Sequence, residues 1–133
     1  MTTELRYKSS RDPVAQARHR RLAELLDVAP GDRMVDLGCG AGVTLEVLLT
    51  GQRGRLVVGV DIAEDALWVA ARLRAQRPGG GFGVLRADLT RPLPLVDATI
   101  DRALCHNVLE ALPEPQRFLR EVHRVLRPGG GYC

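Results

Sequence analysis

The residues with chemical capacity stand at the ends of apolar runs. Met34-Val35-Asp36-Leu37-Gly38-Cys39-Gly40-Ala41-Gly42 is a short apolar run that closes on three glycines at alternate positions, and a helical pattern, Val43 to Leu49, follows at once. A strand that feeds a helix through such a turn lays down a floor of bare backbone. Glycine has no Cβ, so the chain can take positive φ there and a ligand can come close. The first helical N–H groups point into the gap unpaired and favour polar or anionic ligand atoms. One glycine would serve an ordinary tight turn. Three within five residues, with Asp36 two before the first, point to a ligand site.

The next apolar run, Leu56 to Val60, ends at Asp61. Its distance from the glycine turn, about 20 residues, is the one that puts a carboxylate beside a ribose. A carboxylate accepts both vicinal hydroxyls, each bond worth about 1.5–3 kcal/mol when well formed. Asp61 can also cap the helix that follows, and the two roles are compatible. Ile62 offers an apolar wall to an adenine. Asp88 and Leu89 follow the third run and could bind the base's amino group and cover its other face, although a turn or cap suits Asp88 equally well. Cys105, His106 and Asn107 close the fourth run. His106 is the candidate general base at the mouth of such a site, and His19 and His123 fall on helices as surface residues.

These groups meet only if their strands run parallel. Asp12 and Pro13 open a helical pattern from Val14 to Val28, stopped at Ala29-Pro30-Gly31-Asp32. Strands are expected at Arg33 to Leu37, Leu56 to Val60, Phe82 to Ala87 and Ala98 to Cys105. Helices are expected at Val43 to Leu49, Ala63 to Gln76 and Pro115 to Leu126, with Phe118, Leu119, Val122, Val125 and Leu126 on one stripe of the last. Near-continuous apolar strands between helices mean a parallel sheet buried on both faces. The fold class is therefore α/β, a Rossmann-like doubly wound parallel sheet of order 3-2-1-4. In such sheets ligands lie across the carboxyl ends of the strands. The glycine-rich Arg127-Pro128-Gly129-Gly130-Gly131 ends the last helix, and the C-terminal strands are expected to be missing.

The 133 residues suit one domain, with residues 1–30 as an N-terminal helical segment and 31–133 as a cofactor-binding core. Hydrophobic content of 45% and charged content of 26% are those of a globular protein, and aromatics at 4% leave the core to Leu, Val and Ala. The net charge of +3 is spread rather than clustered. The one dense run, Arg18-His19-Arg20-Arg21, has no aromatics between its charges to stack on bases, so no nucleic acid is expected as partner. Cys39, Cys105 and Cys133 lack metal-ligand spacing, and no metal site is expected. No apolar run approaches the ~20 residues that span a membrane, and Met1 to Ser10 has no signal-peptide core. A cytoplasmic setting is the expectation.

A dinucleotide fingerprint wants Gly-x-Gly-x-x-Gly or Ala. Here its third position falls on Val43 and the third glycine comes one residue early, at Gly42, which counts against a nicotinamide-dependent oxidoreductase. Asp36-Leu37-Gly38-Cys39-Gly40-Ala41-Gly42, then Asp61, Ala87-Asp88-Leu89, the Asp101 strand and Arg124-Val125-Leu126-Arg127-Pro128-Gly129-Gly130 together resemble the class I S-adenosylmethionine-dependent methyltransferases of the bacterial small-molecule branch. The resemblance runs from about Leu22 onward. It implies S-adenosyl-L-methionine as cofactor and a small-molecule methyl acceptor. It places Asp36, Gly38, Cys39, Gly40 and Gly42 at the methionine part, Asp61 on the ribose hydroxyls, Ile62, Asp88 and Leu89 on the adenine and His106 toward the methyl group, with Cys105 among the cofactor-binding residues. Tyr7 and the Arg18 to Arg21 run are candidates for the acceptor side. The family's sheet has seven strands, so this chain is expected to be truncated before strand five. Strand four would then be an exposed edge open to self-association, and a non-catalytic cofactor-binding remnant is the alternative function. Ala111 departs from the histidine that relatives often carry after the Leu109-Glu110 pair.

Overall fold

The structure, a computed structural model, describes residues 12–133. Tyr7 and the rest of residues 1–11 lie outside it. Asp12 caps the first helix, α1 (Pro13–Leu26), its Oδ1 accepting the N–H groups of Val14 and Ala15 at 2.9 Å. Pro13 takes the first helical position, where a missing N–H costs nothing. Then follow β1 (Arg33–Leu37), α2 (Val43–Thr50), β2 (Leu56–Asp61), α3 (Glu64–Ala71) with a 3-10 continuation (Arg72–Gln76), and β3 (Phe82–Arg86). Next come β4 (Ile100–Leu104), a 3-10 turn (Leu109–Ala111), α4 (Pro115–Val125) and β5 (Leu126–Tyr132). All pairings are parallel and the order is β3-β2-β1-β4-β5.

Alternation along the strands builds a core on each face. Met34, Val57 and Leu104 join Leu26, Leu45, Leu48, Leu67 and Leu73 beneath α1, α2 and α3. Val35, Leu37, Val60 and Ala103 meet Phe118, Val122 and Val125 of α4. Helix α1 is thus part of the core, with Leu26 buried and Leu22 and Ala23 packed against the cluster. Gly59 faces α2 so closely that an added Cβ would lie 2.6 Å from Leu45 Cδ1 and 2.8 Å from Cys39 Sγ. Gly59→Ala should therefore lose about 1–3 kcal/mol in chemical denaturation. Wild-type stability in that variant would mean that β2 can back away from α2.

The expected loss of strand five is overturned. The sheet has five strands, not four, and β4 is covered by β5 rather than exposed, so an open strand-four edge for self-association does not exist. The Gly-rich stretch that reads as a break is the strand itself. Helix α4 passes straight into it at Leu126, whose backbone is extended at φ −71°, ψ 133°. Glycine is there for contact: a Cβ at Gly130 would lie 2.9 Å from Arg127 O, 3.1 Å from Asp101 O and 3.2 Å from Ile100 O. The register shifts between Ile100 and Arg102, where the strands crowd. Asp101, buried in β4, accepts the Arg33 N–H at 2.7 Å and pairs with Arg127, tying β1, β4 and β5 together.

Two lesser differences concern element ends. The expected helix to Gln76 tightens to 3-10 after Ala71, and β4 begins at Ile100, after Ala98 has taken a left-handed φ of 52°. The loop before β4 is pinned by Arg124 of α4, which donates to Leu93 O and Leu95 O at 2.8 Å and pairs with Glu121 and Asp97.

Candidate functional site

At the carboxyl end of β1 the chain turns across the sheet rather than leaving it. The N–H groups of Gly38 and Cys39 donate to Val60 O of β2 at 2.7 and 2.9 Å, and Gly42 N donates to Cys39 O at 3.1 Å. The three glycines serve different ends. A Cβ on Gly38 would strike Val108 at 2.6 Å, and one on Gly42 would press Leu73 and Ala70 at 3.0 and 3.2 Å. Those two are packing positions. Gly40 has a left-handed φ of 56° and, among the described residues, nothing within 4 Å of where its Cβ would stand. It borders open space, which is where a ligand could approach. Helix α2 starts beside it with no side-chain cap, leaving its first N–H groups for a ligand.

Asp61 binds this turn to the next. Its Oδ2 accepts the Gly40 N–H and its Oδ1 the Ala63 N–H, both at 2.9 Å. The same carboxylate thus caps the entry to α3 and holds the glycine turn, and its remaining lone pairs are available to hydroxyls. Ile62 beside it is 55% exposed, an apolar surface with no protein cover. Asp88 forms a turn instead: Oδ1 accepts from Thr90 N at 2.9 Å and Thr90 Oγ1 at 2.7 Å. Those bonds hold its carboxyl below the usual range, with help from Arg91. Leu89 lies half-buried beside Gly38.

Asp36 is the buried charge of the site. It sits on the face shared by α1 and α2, aligned with Gly59 of β2 and Leu104 of β4, and is 4% exposed. Among the described residues no group donates to its carboxylate. Burial, reinforced by Asp61, raises its pKa to about 7.

Residues 35–133 match the family described as "Methyltransferase domain". The chain belongs to that family. Methyltransferase GfsG of Streptomyces halstedii is 35% identical over 126 residues, covering 92% of this chain and 45% of that relative. Ubiquinone biosynthesis O-methyltransferase of Pseudomonas aeruginosa is 32% identical over 100 residues, covering 75% of this chain and 42% of the relative. The solved structure of an S-adenosylmethionine-dependent methyltransferase from Mesorhizobium loti superposes with a TM-score of 0.72 at 34% identity, covering 84% of this chain and 49% of that one. The chain spans less than half the length of the curated relatives it matches.

In this methyltransferase domain the sequence-derived candidates Asp36, Gly38, Cys39, Gly40, Gly42, Asp61, Ile62, Asp88, Leu89, Cys105 and His106 all lie at or just beyond the carboxyl ends of β1 to β4. Their side chains do not all face the cleft. Cys39 is packed in the core against Gly59, and only its backbone borders the turn. Cys105 is half-buried in the opposite core. Burial pushes both thiols up, with the charge of Asp36 adding to it, that of Cys105 to about 12, so neither is an available thiolate.

Two residues at this end, His19 and Thr44, were not expected. His19 is no surface histidine: it is half-buried on α1, its Nδ1 lies 2.6 Å from Thr44 Oγ1 in the first turn of α2, and its ring meets that of His106 edge to face with centroids 6.0 Å apart. Burial lowers its pKa, with His106 and then Arg18 adding to the effect. The basic run around His19 hid this, because helical periodicity cannot tell a polar residue facing water from one facing a polar neighbour. His123, by contrast, is exposed, with its ring against that of Tyr132.

Proposed function

We propose that this domain binds S-adenosylmethionine across the ends of β1, β2 and β3 and transfers its methyl group to a small-molecule acceptor by direct displacement. The observation that carries the reading is the 2.9 Å bond between Asp61 and the Gly40 N–H, beside a positive-φ glycine that fronts open space. The residues fit the cofactor in polarity as well as in shape. Asp36 supplies a buried negative charge for the ammonium of its methionine part, and Gly38, Cys39, Gly40 and Gly42 line that part with backbone. Asp61 takes the ribose hydroxyls, and Ile62, Leu89 and Asp88 flank the adenine. His106 stands on the methyl side. The cofactor, when bound, supplies a methyl on a positively charged sulfur, already an excellent leaving group. The protein's work is to bring acceptor and methyl into line, and orientation of that kind provides much of the acceleration.

A nicotinamide cofactor is disfavoured because Val43, at the third position of the dinucleotide fingerprint, is buried at the start of α2. Isothermal titration with S-adenosylmethionine, S-adenosylhomocysteine and NAD should show saturable binding of the first two alone. Binding of NAD alone would overturn the reading. Tight cofactor binding with no product from a panel of acceptors would favour the non-catalytic alternative. The reading includes a cytoplasmic setting, consistent with three unpaired cysteines, and no described helix is long and apolar enough to cross a membrane.

A further inference from the structure

We propose that Glu121 and Arg124 of α4 are positioning residues that hold the segment after β3 so that Asp88 reads the base of the bound nucleoside and selects adenine over hypoxanthine. The inference rests on the S-adenosylmethionine reading and deepens it, since it names what sets base specificity at that site. Its ground is how residues 88–97 are fastened. Asp88 to Arg91 form a turn closed on itself: Asp88 Oδ1 takes both Thr90 bonds, and Arg91 N donates to Asp88 O at 3.1 Å. Asp88 Oδ2, 3.8 Å from Arg91 Nε, keeps lone pairs for the amino group of a base. These bonds set the turn's shape but not its place against the sheet. Pro92 and Pro94 follow, which have no N–H and keep the chain out of a ladder. Leu93 between them is buried, and its N–H would be costly to leave unpaired. Glu121 Oε1 accepts it at 2.7 Å.

Arg124, three residues further along α4 and on the same face, completes the clamp. Its Nη2 donates to Leu93 O and its Nη1 to Leu95 O, both at 2.8 Å, and Nη1 also meets Asp97 Oδ1 at 2.6 Å. Nε and Nη2 fork onto the two oxygens of Glu121 at 2.9 and 3.0 Å, which holds that carboxyl below its usual range. Among the described residues, the hydrogen bonds from residues 92–97 to any helix or strand all end on these two side chains. Glu121 also lines, with Leu89, Thr90 and Phe118, a cavity of about 20 Å³ between the turn and α4. A gap of that size leaves the turn room to settle toward the helix once the clamp is released. Leu89 Cδ1 lies 4.0 Å from where a Gly38 Cβ would stand, so a shift of the turn moves the apolar wall and the carboxylate of the base site together. Hypoxanthine has a carbonyl where adenine has its amino group. A carboxylate held at that edge accepts from one base and repels the other.

The test is calorimetry of the whole chain with S-adenosylhomocysteine and S-inosylhomocysteine. Wild type should prefer the first by about 10-fold or more. Arg124→Met keeps a similar stem and removes every donor, and its preference should fall to about 2-fold or less through weaker binding of the adenine ligand. Asp88→Asn keeps the Thr90 bonds and offers an amide N–H to the base, so it should turn the preference toward the inosine ligand. Adding Arg124→Met to it should flatten that reversed preference as well. Glu121→Gln sets an amide N–H₂ against Arg124 Nε and should narrow the preference in the same direction. It decides the matter if Arg124→Met does not fold. Arg120→Gln, an exposed charge on the same helix, should leave both affinities within about 2-fold. An unchanged preference in Arg124→Met or Glu121→Gln, an equal loss of both ligands, or no preference in wild type overturns the proposal. Failure of wild type to bind S-adenosylhomocysteine removes instead the cofactor reading beneath it.

Discussion

Gly40→Val should abolish binding of S-adenosylhomocysteine in isothermal titration while leaving the protein folded. Two effects combine at this position. A β-branched residue at φ 56° pays about 1–2 kcal/mol for the left-handed conformation. Its side chain would also grow into the space in front of the turn, where no described residue lies within 4 Å, so the obstruction falls on the ligand proposed there. Gly38→Val is the instructive contrast. There the added Cβ meets Val108 at 2.6 Å, and loss of binding would come through loss of packing. Asp61→Ala approaches the same site from β2. It removes the acceptor for Gly40 N and Ala63 N together with the partner proposed for two ribose hydroxyls. With each charge-assisted bond worth about 1.5–3 kcal/mol, affinity should fall by at least ~100-fold. Retention of wild-type affinity in both Gly40→Val and Asp61→Ala would mean that the ligand lies elsewhere.

Asp36→Asn should make the ligand-free protein more stable and the cofactor complex weaker. The folded-state pKa of Asp36, about 7, lies above the ordinary value of 3.8. Between those two values the folded form keeps a proton that the unfolded chain has released, so rising pH costs stability across that window, and the full cost is reached above pH 7. A gap of about three units corresponds to roughly 4 kcal/mol at most. The neutral amide avoids that cost, so thermal unfolding at pH 8 should show Asp36→Asn stabilised by about 1–4 kcal/mol, and the gain should shrink toward pH 4. Affinity moves the other way, because a bound cation favours the ionised carboxylate. Wild type should bind S-adenosylmethionine more tightly as pH rises through 7 and release a proton on binding, visible as a buffer-dependent heat, and Asp36→Asn should do neither. Stability at pH 8 equal to wild type, with unchanged affinity, would remove Asp36 from the site. A destabilising charge kept at a ligand site is an expected stability–function trade-off.

How far the sequence led can be seen at particular residues. The glycine turn and Asp61 were legible because their chemistry is local: backbone without side chains, then an acid at the end of an apolar run. Asp88 was legible only as an acid, and its engagement with Thr90 is a turn that its own side chain creates. His19 was misplaced because its partner, Thr44, sits 25 residues away on another helix. Strand β5 was lost because glycine and proline argue against a strand on propensity. What overrides propensity there is close approach to the carbonyls of Ile100 and Asp101, together with the Asp101–Arg127 pair. Asp101 and Arg102 made β4 look less apolar, and Asp101 is in fact the anchor for the neighbour that was missed.

Strand β5 also bears on assembly. Over Pro128-Gly129-Gly130-Gly131 the outer rail of the sheet is almost bare main chain. Side chains are what penalise a one-residue slip between partners, so a nearly naked rail accepts several alignments at similar cost. Any segment laid against it would find its alignment from the flanking Leu126, Arg127 and Tyr132, and exchanging these should scramble such a contact sooner than any change to the glycines between them.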